Sequence, residues 1–193
     1  TLTERLKCDF RSAEIRQKRM LEYTSHANVR VYPGFHRQFS GNFNPTDAMN
    51  VGVQMAAMNV QTKCEALAIY DGHFRANGDC GFVLKPRILL DPSAPRMPPR
   101  LLTLTIISAQ NLPRDPYQRS PAANPLVEVV VDGVSKDKLS DSTKQVKSNG
   151  FNPVWNCEMN FKITCPELAI VLFSVKHIEW RGFIRRTYTL GSF

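Results

Sequence analysis

Residues 30–62 read RVYPGFHRQFSGNFNPTDAMNVGVQMAAMNVQT, and the order of elements in this stretch decides the fold of the first part of the chain. A short strand, VRVY at residues 29–32, is stopped by the Pro-Gly pair that follows it. Residues 45–52 predict a short helical turn, and the largely apolar residues 53–60 predict a second strand. Apolar strands that alternate with short helices favour a parallel sheet with both faces covered.

Arg30 and Tyr32 stand two positions apart at the end of the first strand. Because the side chains of a strand point alternately to its two faces, the guanidinium and the phenol are expected to share one face. From these residues alone, an exposed Arg beside a half-buried Tyr at a sheet edge explains the pattern at least as well as a binding site does.

The flanking segments continue the α/β pattern. A helix is predicted over residues 12–23, a second over residues 68–78, and a further strand over residues 81–86. A closed β/α barrel needs eight strand–helix units, and only about three fit before residue 95. The first part of the chain is therefore expected to be an incomplete barrel, the C-terminal half of one.

A proline-rich segment, DPSAPRMPPR at residues 91–100, has the composition of an extended linker. It predicts an α/β domain over residues 1–90 and a second domain over residues 101–193. After the linker the apolar period becomes two, as in LTLTI at 102–106 and CEMNFKI at 157–163, which predicts an antiparallel sandwich. About five or six strands can be counted where such sandwiches usually have seven or more, so this domain is expected to be truncated.

The composition indicates a globular protein, because 42% of the 193 residues are hydrophobic and 22% are charged. There is no apolar run long enough to span a bilayer and no signal-peptide pattern, and five cysteines without a CxxC pair indicate free thiols in a reducing compartment. The net charge of +8 suits an anionic partner, such as a phospholipid surface or a nucleic acid, as well as it suits an ordinary soluble protein. Because the chain opens on Thr1 rather than Met, we expect a fragment of a longer protein.

Residues 30–62, followed by NGDCGFVLKP at residues 77–86, resemble the Y half of the catalytic barrel of eukaryotic phosphoinositide-specific phospholipase C. The family pattern includes Arg-hydrophobic-Tyr-Pro, Asn-Pro, Gly-x-Gln and a closing Leu-Lys-Pro. After the linker, LTLTIISAQNLP and SNGFNPVWN look like the first strand and a central turn of a C2 domain. The order of barrel half, linker and C2 domain is also that of the family, and the resemblance covers nearly the whole chain.

The resemblance implies a binding site for the lipid headgroup. Arg30 would bind a ring phosphate, since its fork of donors matches phosphate oxygens, and Tyr32 would lie against the apolar face of the inositol. Thr1 stands near the place of a family serine that also contacts the headgroup, and it keeps the hydroxyl. Lys85 fits the closing motif and is interpreted as a strand-end lysine whose amine reaches solvent.

The resemblance also implies which chemistry this chain lacks. The family hydrolyses phosphatidylinositol 4,5-bisphosphate to diacylglycerol and inositol 1,4,5-trisphosphate in intracellular signalling. Its two catalytic histidines and its Ca²⁺ ligands belong to the X half. None of the four histidines here matches a catalytic position, so we expect no catalytic residue and no bound Ca²⁺ in this chain, and no hydrolysis by this chain alone. These histidines are His26, His36, His73 and His177.

The expected partners are the absent X half of the barrel, a phosphoinositide headgroup and an anionic membrane surface, with no nucleic acid. The expected location is cytoplasmic and peripheral at membranes. Two alternatives stay open at this point. One is a catalytically inactive relative that binds inositol phosphates or proteins as a scaffold, and the other is a stand-alone membrane-binding C2 module that carries a vestigial piece of barrel.

The C2-like domain is predicted to bind Ca²⁺ poorly, because a hard cation needs several oxygen ligands at one point. Asp115 is present in the first loop, but Asn124 stands where the family often has Asp. His177 and Glu179 replace an expected Asp pair in a shortened third loop. A basic edge at this end is explained equally well as a contact with anionic lipid and as an ordinary solvated surface. Its residues are Arg181, Arg185 and Arg186.

Overall fold

A computed structural model describes residues 10–34, 40–91, 93–114, 117, 119–181 and 183–193 of the chain. The chain divides into two compact units. The first comprises Thr1–Pro98, Gly133–Lys136 and Cys165–Ile170, and the second comprises Pro99–Asp132, Asp137–Thr164 and Val171–Phe193. None of the helices in the described part of the chain is both long enough and apolar enough to cross a bilayer.

The first unit is an α/β arrangement of short elements. They are α1 (Phe10–His26), β1 (Arg30–Val31), α2 (Pro45–Met49), β2 (Met55–Ala56), α3 (Glu65–Arg75) and a 3-10 turn (Arg87–Leu89). The start of α2 is fixed locally, because the Asn44 side chain accepts a hydrogen bond from the Thr46 amide and Pro45 occupies the first helical turn. The positions of all three helices agree with the prediction to within a few residues.

The strands β1 and β2 pair in parallel, with Arg30 opposite Met55 and Val31 opposite Ala56. The parallel pairing that the sequence predicts is therefore found. A cluster of buried apolar side chains includes Ala56 of β2, with Val31 of β1, Met20 of α1 and Tyr70 of α3 packed against it. The buried members of the cluster are Phe43, Ala48, Val51, Val53 and Ala56, with Met20, Val29, Val31, Met58 and Tyr70 packed against them.

Two strand predictions in the first unit were wrong in extent or in kind. The strand expected over 53–60 is reduced to Met55–Ala56. The strand expected over 81–86 does not form, and residues 82–86 have no regular secondary structure. A strand forms only by main-chain hydrogen bonding to a neighbouring strand. Among the described residues, no strand pairs with this segment. Phe82 and Leu84 are accordingly 79% and 90% exposed.

The second unit contains six described strands in two sheets. The strands are β3 (Arg100–Ser108), β4 (Pro125–Asp132), β5 (Leu139–Ser142), β6 (Val154–Ile163), β7 (Ile170–Arg181) and β8 (Ile184–Ser192). One sheet has the order β3-β6 and the other the order β5-β4-β7-β8. Pairing is antiparallel between β3 and β6, between β4 and β5, and between β7 and β8, as predicted.

The alternation of side chains accounts for these sheets. In β6, Met159, Phe161 and Ile163 are buried while the residues between them are exposed. In β4, Val129 and Val131 are fully buried. Both sheets thus contribute apolar side chains to a core. β6 has one exposed face, as expected for an alternating strand, whereas no residue of β4 is exposed. The main difference from the prediction is the length of β7, which extends to Arg181. The residues near its end, Lys176 to Arg181, pair with β8.

Candidate functional site

The carboxyl ends of β1 and β2 meet at one edge of the first unit. The ladder is held by hydrogen bonds from the Met55 amide to the Val29 carbonyl, at 3.2 Å, and from the Ala57 amide to the Val31 carbonyl, at 2.9 Å. Tyr32 is the first residue beyond β1 at this edge. Ligand sites of parallel α/β folds lie at this end of the strands.

Arg30 and Tyr32 are brought into contact at this edge. The Arg30 guanidinium carbon lies 5.0 Å from the centre of the Tyr32 ring, within the range of a cation–π contact. Arg30 is exposed and Tyr32 is 50% exposed, so both remain accessible to a ligand. No ion pair joins Arg30 to any residue that the structure describes. The arrangement presents a cation and an aromatic face side by side, which suits a ring that carries phosphates.

Beyond the end of β2, two asparagines tie the neighbouring loops together. The Asn42 Oδ1 atom accepts a hydrogen bond from the Asn59 amide at 2.7 Å, and its Nδ2 atom donates to the Asn59 carbonyl at 3.0 Å. The Asn59 side chain in turn donates to the Gly41 carbonyl at 3.2 Å. The Asn42 side chain thus makes the two main-chain hydrogen bonds that a neighbouring strand would make, and it connects the two loops next to the site. Sequence reasoning missed it, since an Asn in a loop gives no signal of its partner.

Behind β1, Lys85 does not extend into solvent as predicted. Its Nζ atom donates to the Thr24 carbonyl at 2.7 Å, near the end of α1. Burial lowers the pKa of this amine. The Gln54 Nε2 atom donates to the same carbonyl at 3.0 Å, so two elements converge on one atom. The expectation of a solvated lysine was wrong because a free helix carbonyl lies within its reach.

Some predicted positions lie outside the described residues. These are Thr1 and His36 in the first part of the chain, Asp115 in the first C2 loop and the side chain of Arg181. Their roles stay predictions.

The C2 positions that depart from the family pattern are hydrogen-bonded within the protein. The His177 ring is fully buried, its Nδ1 atom accepts a hydrogen bond from the Asn124 amide at 2.8 Å, and it stacks on Tyr188. The Glu179 carboxylate accepts a hydrogen bond from the Ser120 amide at 2.9 Å. Within the described ranges, no three His, Cys, Asp or Glu side chains are close enough to hold a metal ion together.

The end of the β7–β8 hairpin carries exposed apolar and basic side chains, defined here as those of Trp180, Phe183, Ile184, Arg185 and Arg186 and called the hairpin tip. Trp180 is 64% exposed, Phe183 is fully exposed and Ile184 is largely exposed. Arg185 pairs across the strands with Trp180 and is exposed, as is Arg186. The sequence predicted the arginines here but not the exposed aromatic residues, whose burial cannot be told from composition in a short turn.

Comparison with known proteins matches each unit to a family. Residues 4–88 match the family described as phosphatidylinositol-specific phospholipase C, Y domain, and residues 100–193 match the C2 domain family.

Curated proteins similar to this chain include proteins named as phosphodiesterases. The human protein named 1-phosphatidylinositol 4,5-bisphosphate phosphodiesterase delta-4 is 40% identical over 187 residues, which is 88% of this chain and 24% of that protein. The Danio rerio protein named 1-phosphatidylinositol 4,5-bisphosphate phosphodiesterase delta-3-A is 41% identical over 158 residues, covering 76% of this chain and 20% of that protein. The chain therefore spans about a quarter of the length of the curated relatives it matches.

A solved structure gives the same result. The crystal structure of S. officinalis PLC21 superposes with a TM-score of 0.73 at 25% sequence identity, covering 90% of this chain and 23% of that one.

Proposed function

Since the chain belongs to the phosphatidylinositol-specific phospholipase C family, we propose that it supplies the Y half of the catalytic barrel and the C2 domain of such an enzyme. The complete enzyme hydrolyses phosphatidylinositol 4,5-bisphosphate to diacylglycerol and inositol 1,4,5-trisphosphate in intracellular signalling, at the cytoplasmic face of membranes. The first unit is then half of a TIM barrel. The observation that carries the proposal is the contact between Arg30 and Tyr32 at the carboxyl edge of β1.

Arg30 and Tyr32 divide the recognition of the headgroup between them. The guanidinium donates hydrogen bonds to the oxygens of a ring phosphate, in a charge-assisted and bidentate geometry. The phenol ring lies against the apolar face of the inositol. Because the two side chains already touch, the guanidinium is held near its binding position before the lipid arrives. Thr1 is a further headgroup contact by resemblance to the family.

The chemical step requires groups from the complementary barrel half. The attack of the inositol 2-hydroxyl on phosphorus needs acid–base histidines and a Ca²⁺ ion that lowers the pKa of that hydroxyl. By resemblance to the family, we assign the Ca²⁺ ligands to the other half of the barrel. The 193-residue chain alone is then a headgroup-binding part without hydrolytic activity.

The docking site for the complementary half includes the segment at residues 82–86. Its main chain lacks a strand partner among the described residues, and Phe82 and Leu84 expose most of their surface. Val60, beyond the end of β2, is also exposed. A neighbouring strand would pair with this segment and remove the apolar surface of these side chains from water, which favours association.

The experiment that tests this proposal is complementation. We expect the chain to show no hydrolysis of phosphatidylinositol 4,5-bisphosphate by itself. Hydrolysis should appear on addition of a separately expressed X half from a relative, and it should be lost with an X half that lacks its histidines. Restored headgroup binding without any hydrolysis would instead favour the inactive scaffold, and neither binding nor hydrolysis would contradict the assignment.

A second function, attachment to anionic membranes, is favoured by the hairpin tip. Aromatic side chains enter the interfacial region of a bilayer, and each nearby basic residue adds about 1 kcal/mol at an anionic surface. Trp180 and Phe183 supply the first kind of group, and Arg185 and Arg186 the second. We propose that the hairpin tip contacts the membrane without Ca²⁺.

A further inference from the structure

Three segments of the first unit converge on the C-terminal end of α1. The Thr24 carbonyl accepts hydrogen bonds from Lys85 Nζ at 2.7 Å and from Gln54 Nε2 at 3.0 Å. Carbonyls in the last turn of a helix have no partner within the helix, and a cation is favoured beside them. This point lies directly before β1, where Arg30 is placed.

The Gln54 side chain links this helix end to the start of β1. Its Nε2 atom also donates to the Ala27 carbonyl at 3.1 Å, and its Oε1 atom accepts from the Val29 amide at 2.9 Å. Both donor positions of the amide and one of the two lone pairs of its oxygen are therefore used. These partners fix the orientation of the amide. If it were flipped, its NH₂ group would face the Val29 N–H, and its oxygen would face the Thr24 and Ala27 carbonyls.

Gly52 makes this convergence possible. Its φ is +78°, and a Cβ atom at this position would lie 2.3 Å from Thr24 Oγ1 and 3.2 Å from Lys85 Nζ. The Thr24 hydroxyl itself is buried and donates to the Val51 carbonyl at 2.9 Å. The junction is defined here as the contact between the end of α1 and the start of β1. Gly52 leaves space for the Thr24 and Lys85 side chains at this junction, and Gln54 connects its two sides by hydrogen bonds.

The residue that gains from the junction is Arg30. The carbonyls of the residues on either side of it, Val29 and Val31, accept hydrogen bonds from main-chain amides at and just beyond β2. On the amide side, Val29 is held only by the Gln54 side chain among the described residues. Small shifts of a binding group have large effects on recognition, since bidentate contacts to phosphate need their geometry fixed to within a fraction of an ångström.

We propose that Gln54 and Lys85 are positioning residues for headgroup recognition, which fix the end of α1 to the start of β1 and so set the place from which Arg30 reaches the phosphate. This inference rests on the proposed headgroup-binding role of Arg30. Neither residue touches the ligand, so their effect is on the affinity for the phosphorylated headgroup.

The first test uses Gln54→Glu, which keeps size and one acceptor oxygen but turns the other oxygen towards two carbonyls. In the chain combined with the complementary barrel half, we expect KM for phosphatidylinositol 4,5-bisphosphate to rise about tenfold with a smaller change in kcat, as for about 1.4 kcal/mol of lost binding. Hydrogen exchange of the isolated chain should show the Val29 amide exchanging at least about tenfold faster. The matched control is Gln17→Glu, an exposed position on α1.

A milder variant guards against loss of folding. Lys85→Met keeps the aliphatic stem and removes one of the two donors to Thr24, so we expect a rise of about threefold in KM, and no rise for the exposed control Lys63→Met. A merely structural role would lower the active fraction, and hence the apparent kcat, without changing KM.

Arg30→Ala, measured beside them, separates the two levels of inference. If Arg30→Ala leaves KM unchanged, the headgroup assignment itself fails. If Arg30→Ala raises KM while Gln54→Glu and Lys85→Met leave KM and the Val29 exchange rate unchanged, only the positioning role is overturned. Equal effects of Gln54→Glu and Gln17→Glu would also overturn it, because a general charge effect would then suffice.

Discussion

At the scale of single residues, the contact of Arg30 with Tyr32 lowers the cost of binding a phosphate. A free arginine side chain loses about 2 kcal/mol of rotamer entropy when it is fixed. A cation–π contact at an exposed site returns about 0.5–1 kcal/mol and is present before the ligand binds. We therefore propose two roles for the Tyr32 ring, as a surface for the inositol and as a support for the guanidinium.

A residue-scale prediction concerns two glycines with left-handed backbones. Gly52 and Gly78 have φ values of +78° and +62°, but a Cβ would clash only at Gly52, since nothing lies within 4 Å at Gly78. Both Gly→Ala variants carry the backbone strain, of about 1 kcal/mol, and Gly52→Ala adds the displacement of Thr24. We expect Gly52→Ala to lower the free energy of unfolding by about 2 kcal/mol more than Gly78→Ala does. Urea denaturation measures both, and equal losses would contradict the account of the junction.

The sequence could predict which residues meet at the candidate site only where a local rule applied. Period two placed Arg30 and Tyr32 on one face, and their contact agrees with that rule. The role of Gln54 could not be derived, because its partners Thr24 and Ala27 are about thirty positions away and are main-chain atoms. Lys85 was assigned to solvent for the same reason, since a propensity carries no information about a distant carbonyl.

At the scale of elements, the strands that were predicted correctly are those with a partner in the chain. The alternating patterns of β3 and β6 led to strands that pair with each other. The equally strand-like residues 81–86 remain without regular structure. Helices satisfy their own hydrogen bonds, so α1 and α3 were predictable from local pattern alone, whereas a strand depends on what lies beside it.

The element-scale prediction concerns the hairpin tip. We expect the double variant Trp180→Ala/Phe183→Ala to bind vesicles of phosphatidylserine and phosphatidylcholine about tenfold more weakly, because apolar area no longer leaves water. Arg185→Gln/Arg186→Gln should weaken binding by about 2 kcal/mol on the same vesicles and have little effect on phosphatidylcholine alone. Co-sedimentation without Ca²⁺ measures both pairs.

The matched control for the hairpin tip is Leu101→Ala, an exposed leucine on β3. It should bind the vesicles as the unchanged chain does. Unaltered binding of both hairpin variants, or an equal loss in the control, would exclude the hairpin tip as the membrane contact.

At the scale of the whole molecule, the two units contribute different parts of one task. In the function that we propose, the first presents Arg30 and Tyr32 to a headgroup, and the second carries the hairpin tip that we assign to the membrane. The chain spans about a quarter of the length of its curated relatives, and the match covers 24% of the human protein. The chemical step is accordingly assigned to the rest of the enzyme rather than to this part.

A prediction for the whole chain is that Ca²⁺ does not stabilise it. His177 and Glu179 lie in β7 and not in a shortened loop as the sequence predicted. Both already accept hydrogen bonds, from Asn124 and Ser120, and breaking these would offset any gain from a cation. We therefore expect the melting temperature to be the same, within about 1 °C, with 1 mM Ca²⁺ and with 1 mM Mg²⁺, since a ligand stabilises only in proportion to its occupancy. A rise of several degrees that is specific to Ca²⁺ would refute this.

The claim that a guanidinium and an aromatic ring together read a phosphorylated inositol is tested most directly by substrate preference. The measurement is kcat/KM of the complemented enzyme on phosphatidylinositol 4,5-bisphosphate and on unphosphorylated phosphatidylinositol, for the unchanged chain and for Arg30→Ala. Loss of charge-assisted hydrogen bonds predicts a fall of about 30-fold on the phosphorylated lipid and less than about threefold on the other. An equal fall on both lipids, or none on either, would contradict the assignment of Arg30 to a ring phosphate.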